Sequence, residues 1–291
     1  MLDGVRVTKL LLLADGPLNS VSFAALPLPD AGHDLVIDRF AIASAPSLML
    51  ALAKPVRDRS RNSRAAVVSD PVYAPDDRRL AIAMHDGGVN FRGPPERSAN
   101  RLTRLPFSAL EAVAVSRAFG ANHTIQLSDF DATPTRVLEL PSRELAVLHF
   151  ATHAVAQSDS PDQSALFLTE YARDGTLLRD SRISMDDIAR SGLRADVVVL
   201  SGCATGDGRA LRGEGVLGLT YGFLANGSHS VVASLWPIED ASTARFMNEF
   251  YRAYRESGRA SDALRTAQLR SRATSPTGVW SSFVVRANEF P

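Results

Sequence analysis

A chain of 291 residues with 32 basic and 32 acidic side chains has no net charge, so no global attraction draws it to nucleic acid or to an acidic membrane. Its 45% hydrophobic content supports a substantial core, and its one cysteine excludes an internal disulfide framework. The apolar run Leu10 to Leu13 is too short to span a bilayer and lacks the basic start and cleavage site of a signal peptide, so a cytoplasmic, reducing location is expected.

In chain order, Val7 to Leu13, Leu35 to Ala41 and Ala65 to Ser69 read as strands, with hairpin-like signals around Pro27 to Gly32. Lys54 to Arg64 is charged and aperiodic, and Asp86 to Asn100 is rich in Gly, Pro and Arg; both read as solvated loops. Helical periodicity covers Pro106 to Phe119 and Pro134 to Leu140. Strands then alternate with helices: Leu145 to Phe150, Ala195 to Leu200, Glu214 to Asn226, Val231 to Trp236, Asp240 to Arg255, Arg259 to Arg272 and Ser282 to Val285. This alternation predicts an α/β sandwich, a mostly parallel sheet with helices on both faces and a β-rich N-terminal part. No repeat of 20–50 residues and no heptad run is present.

Two segments share one plan. An apolar run ends at Phe150 and His153 follows three residues later; another ends at Leu200 and Cys203 follows three later. If both runs are parallel strands, both side chains emerge at the carboxyl edge of the sheet, where open α/β sheets bind ligands. Small residues (Ala151, Thr152, Ser201, Gly202) let the backbone turn sharply there. A thiol needs such a neighbour: the thiolate is the nucleophile, and an imidazole can take its proton or return one to a leaving amine. Most lone cysteines are instead small buried hydrophobes; the paired placement is what favours chemistry.

Leu148-His149-Phe150-Ala151-Thr152-His153 and Val199-Leu200-Ser201-Gly202-Cys203-Ala204-Thr205-Gly206 resemble the two signature blocks of CHAT domains, relatives of caspases and separases. Further blocks agree in order: Ala14-Asp15-Gly16-Pro17-Leu18, Asp70-Pro71, Leu105-Pro106 with Glu111, Gly213-Glu214-Gly215, Val232-Ala233-Ser234-Leu235-Trp236 and Ala263-Leu264-Arg265-Thr266-Ala267-Gln268. The resemblance spans about residues 10 to 286. It implies a caspase-like fold with residues 1–140 as a β-rich, pseudo-caspase-like half and 141–291 as the catalytic half. It also implies a cysteine endopeptidase of a bacterial signalling or defence pathway, with His153 and Cys203 as the dyad. Backbone N–H groups of Ala154 and Cys203 would form the oxyanion hole; the family usually has Gly where this chain has Ala154. A protein substrate is implied, and a tetratricopeptide-repeat region or partner as regulator, since family members often carry such repeats.

Relatives that hold a basic side chain do so with an acidic group, and the candidates here are Asp207, Glu239 and Asp240, with Glu214 as a further one and Trp236 as a pocket wall. Each has a plainer reading: Asp240 suits a helix N-cap, Glu214 a first helical turn, and Trp236 the core. His149, inside its strand, reads as a buried, hydrogen-bonded histidine or as one facing the opposite side from the site. Gly213 to Gly218 spells GxGxxG, but it does not directly follow a strand, which argues against a dinucleotide site. The remaining histidines have no ligand-like spacing, so no metal and no cofactor is expected. The Arg cluster at 57, 59, 61 and 64 lacks interleaved aromatics, so no nucleic acid partner is expected. The alternative to catalysis is a non-catalytic interaction module, a pseudoprotease in a larger complex.

Overall fold

The computed structural model describes residues 7–29, 32–45, 47–48, 64–86, 102–155, 164–202 and 214–287. The first part contains β1 (Lys9–Leu12), α1 (Val36–Arg39), β2 (Ala41–Ser44), β3 (Arg64–Pro71), α2 (Arg78–Asp86), α3 (Ser108–Phe119), β4 (Thr124–Asp129) and α4 (Pro134–Leu138). Next come β5 (Leu145–Ala151), β6 (Ala154–Val155), β7 (Ala165–Phe167), β8 (Arg182–Ser184), α5 (Met185–Ser191) and β9 (Val197–Leu200). The chain continues with α6 (Glu214–Ala225), β10 (Ser230–Ser234), α7 (Asp240–Ser257), α8 (Ala260–Arg272), α9 (Thr277–Trp280) and β11 (Phe283–Ala287).

Eight strands form one sheet in the order β1-β2-β11-β10-β9-β5-β3-β4, and β6, β7 and β8 form a small second sheet. In the large sheet only β10 and β11 pair antiparallel. The carboxyl ends of β4, β3, β5, β9 and β10 therefore share one edge.

Strand residues alternate between faces, and the buried residues sort accordingly. Ala65, Val67, Val147, Val199 and Val232 pack with Val115 of α3, Phe246 and Phe250 of α7, and Leu264 of α8. Ala66, Val68, Leu148, Phe150, Val198 and Val231 pack with Val137 of α4, Ile188 of α5 and Phe223 of α6. Every residue of β5 is buried, the mark of a central parallel strand covered on both sides. The expected α/β sandwich is thus the observed architecture.

Two local expectations change. Leu35 to Ala41 is not a strand: the Asp38 carboxylate accepts the Leu35 N–H at 2.8 Å, which closes the turn of α1 and defers β2 to Ala41. That local bond overrides the β preference of Val36 and Ile37. Helix α7 starts with Glu239 at the N-cap and Asp240 as its first helical residue, so Asp240 is not the cap. The Pro27 to Gly32 signal does close a hairpin-like turn, with Pro27 and Leu35 in an antiparallel bridge. The loop expected at 54–64 lies outside the described residues apart from Arg64, which opens β3. The one at 86–100 lies outside them apart from Asp86, the last residue of α2.

Candidate active site

After β5 the chain turns through Thr152 and His153 into β6; after β9 it passes through Ser201 to Gly202. The two turns interlock. Ser201 N–H donates to the Phe150 carbonyl at 3.1 Å, and Ala154 N–H donates to the Gly202 carbonyl at 3.2 Å. A Cβ on Gly202 would sit 2.0 Å from the Thr152 carbonyl oxygen, so only glycine allows this approach. The residue before Cys203 therefore lies against the residues flanking His153. Cys203 and Asp207 lie outside the described residues.

His153 is buried, with 2% of its surface exposed. Its ring packs against Tyr73 with centroids 5.0 Å apart, and its N–H donates to the Tyr73 hydroxyl at 3.2 Å. That hydroxyl donates onward to the Phe167 carbonyl at 3.1 Å, while Phe167 N–H donates to the His153 carbonyl at 2.8 Å. Backbone and ring are thus held from three directions. Burial drives the Tyr73 phenol far above its ordinary pKa, so it stays a neutral donor.

Nε2 of His153 lies 2.6 Å from the Thr103 carbonyl oxygen. A carbonyl only accepts, so Nε2 carries the hydrogen and, in the neutral ring, Nδ1 carries the lone pair. This contact selects the tautomer. Neither Thr103 nor Tyr73 was marked by the sequence: a backbone carbonyl leaves no residue-type signal, and the nearest hints were the Asp70-Pro71 and Leu105-Pro106 blocks.

Beneath the two turns lies a buried polar chain. His149 Nδ1 pairs with the Tyr251 hydroxyl at 2.8 Å and Nε2 with Glu111 Oε2 at 3.1 Å; the Ser201 hydroxyl is 3.2 Å from Nε2. His149 and Glu111 are both essentially inaccessible. The expected buried, hydrogen-bonded histidine is what the structure shows, and it ties α3 and α7 to the end of β9. Burial raises the Tyr251 phenol well above its usual range.

The proposed pocket residues are less concentrated. Asp240 Oδ2 accepts the Phe107 N–H at 2.7 Å, at the start of α3. Burial lifts its carboxyl to about 6; the Phe107 bond opposes this, and the nearby charges of Glu111, Asp70 and Glu239 add to it. Glu239 is exposed and accepts from the Ser242 hydroxyl at 2.8 Å. Trp236 is half-buried and gives its indole N–H to the Gly278 carbonyl at 2.7 Å, which holds it toward α9. Glu214 opens α6. The Ala154 amide, expected to face a developing oxyanion, is engaged by Gly202 instead; serving an oxyanion would require giving up that bond. Among the described residues no group of three or more His, Cys, Asp or Glu is arranged to hold a metal, and no helix is long and apolar enough to cross a membrane.

Tetratricopeptide repeat protein 28 of Homo sapiens is 26% identical over 319 residues, and that of Mus musculus 26% over 325. Both alignments cover 96% of this chain, which spans only 12% of the length of these relatives. Among solved structures, the Arg specific cysteine proteinase gingipain R matches with a TM-score of 0.53 at 10% identity, over 98% of this chain and 64% of that one. The complex of Porphyromonas gingivalis RgpB pro- and mature domains matches equally well, over 65% of its chain. At that identity the likeness is one of fold alone. The model of the CHAT domain matches residues 1–287, and the chain belongs to the CHAT domain family.

Proposed function

We propose that the protein is a cysteine endopeptidase that cleaves a specific protein partner, with Cys203 as nucleophile and His153 as acid and base. The observation that carries this reading is the interlock of Gly202 with the residues on either side of His153, beside an imidazole whose tautomer is fixed by the Thr103 carbonyl. With hydrogen on Nε2, Nδ1 is the nitrogen able to take the Cys203 proton. The thiolate then attacks the scissile carbonyl, and the imidazolium returns that proton to the leaving amine as the peptide bond breaks. Water, deprotonated by the same imidazole, hydrolyses the thioester and regenerates the thiol. Backbone N–H groups near Cys203 would stabilise the oxyanion, with Ala154 joining once it parts from Gly202.

The acid that reads the substrate belongs, in this proposal, to the group Asp207, Glu239 and Asp240. The tetratricopeptide-repeat relatives support a repeat region or partner protein as regulator. Cys203→Ala is expected to abolish all cleavage and all labelling by a peptide electrophile; cleavage that survives this change refutes the assignment.

Two observations favour a second reading, a non-catalytic interaction module: the Ala154 amide is bonded within the protein and His153 is buried. Under that reading Cys203 reacts with the electrophile no faster than an ordinary surface thiol.

A further inference from the structure

The carbonyl that holds the His153 imidazole belongs to a stretch without regular structure, residues 102–105, in which Thr103 itself is exposed. A loop carbonyl orients a ring only if the loop is anchored. The anchor is the next residue. Arg104 gives Nε to Asp70 Oδ1 at 2.9 Å and an Nη2 hydrogen to Oδ2 at 2.7 Å, a two-pronged pairing that fixes direction as well as distance. Its guanidinium is correspondingly held charged by the Asp70 bond.

Asp70 is built for this. It is 5% exposed, lies next to last in β3, and has φ of 47°, in the left-handed region that disfavours a side chain. Asp129 at the end of the neighbouring β4 has φ of 52°. Such backbone persists only where surrounding contacts impose it. Both carboxylates converge on Arg79, which also holds Asp77 at 2.7 Å and donates to the Asp70 carbonyl at 2.7 Å and the Pro71 carbonyl at 3.2 Å. Three carboxylates thus face one partly buried guanidinium, and the excess negative charge is met at the surface by Arg104, whose side chain is 45% exposed. The inner arginine fixes Asp70, and the outer one connects it to the loop.

We propose that Asp70 is a positioning residue for His153: by clamping Arg104 it holds the Thr103 carbonyl on Nε2 and so sets the tautomer and direction of the imidazole. This rests on His153 being the acid–base partner. Neither Asp70 nor Arg104 touches substrate in this proposal; both act through Thr103.

The test uses the full chain and two independent readouts. In proton NMR, the Nε2–H of His153 is expected as a downfield, slowly exchanging signal that His153→Ala removes. Arg104→Ala is expected to lose or broaden it while circular dichroism stays unchanged, and Arg104→Lys, which keeps charge but not the fork, to recover it in part. Asp70→Asn, similar in shape, is expected to weaken it as well. Electrophile labelling of Cys203 in Arg104→Ala should slow by roughly tenfold to a hundredfold, the scale of a misaligned reacting group. Arg136→Ala, which breaks the exposed pair with Asp131, should change neither readout. A wild type without the signal, or an Arg104→Ala that keeps both signal and labelling rate, overturns the proposal. If the signal depends on Arg104 while wild-type Cys203 is unreactive, positioning stands and the endopeptidase reading falls.

Discussion

Replacing Gly202 by alanine would put a methyl carbon 2.0 Å from the Thr152 carbonyl oxygen, 2.7 Å from its carbon and 2.9 Å from the Thr152 nitrogen. All three are backbone atoms, so no side chain can swing aside. The turns after β5 and β9 must separate by about 1.4 Å to reach normal contact. Forcing a methylene-sized group into packed surroundings costs about 1–3 kcal/mol, and the rigidity of both partners puts this site at the upper end. Stretching the Ala154 to Gly202 bond adds about 0.5–1.5 kcal/mol. A loss of about 2–4 kcal/mol is therefore expected, read as a lower urea midpoint at constant slope. The same displacement moves the Gly202 turn away from His153, so on the proposed dyad labelling of Cys203 should slow in native buffer, where the variant remains folded. Gly278→Ala is the control: a Cβ there meets nothing within 4 Å, and its midpoint should stay within about 0.5 kcal/mol of wild type. A Gly202→Ala protein with wild-type midpoint and wild-type labelling would refute the claim that close approach at Gly202 brings the two turns together.

Glu111→Ala leaves a cavity and removes a partner from the buried His149, so unfolding by heat or urea should show a loss of about 2–4 kcal/mol, and Glu111→Gln a smaller one. Asp240 supplies a pH dependence. Its carboxyl is held up at about 6 in the folded chain and titrates near 3.8 when unfolded, so the folded state binds the extra proton between these values. Stability should accordingly rise as pH falls from 7 toward 4, by about 1 kcal/mol from this group after allowing for solvent screening. Asp240→Asn should flatten that rise in denaturation curves taken across this range; an unchanged profile would contradict the burial argument.

How far the sequence reached depended on whether the signal was local. The runs at Leu145 to Phe150 and Ala195 to Leu200 are mostly apolar and bounded by turn residues, and they form adjacent parallel strands. The hairpin-like turn at Pro27 was likewise legible, since turn chemistry is set by neighbours in the chain. Helix α5 was missed although its signal was present: Ser184 and Asp187 form a capping box, with the Ser184 hydroxyl accepting the Asp187 N–H at 3.2 Å. Strand β4 was missed because Thr124–Asp129 is short and only partly buried at the sheet edge, which weakens its alternation.

By itself the sequence determined the α/β class, the family and the two post-strand positions at which His153 and Cys203 occur. Each of these is a matter of residue type repeated at short, regular spacing, which a linear reading can detect. The contacts that hold the His153 imidazole came only with the tertiary structure. Tyr73 and Thr103 reach it from 80 and 50 residues away in the chain, through a hydroxyl and a backbone carbonyl that any local pattern leaves ambiguous, with the Asp70–Arg104 pair behind Thr103. Sheet order brings β3 beside β5 and so carries these distant groups to one edge, a neighbourhood created by crossover connections rather than by proximity along the chain.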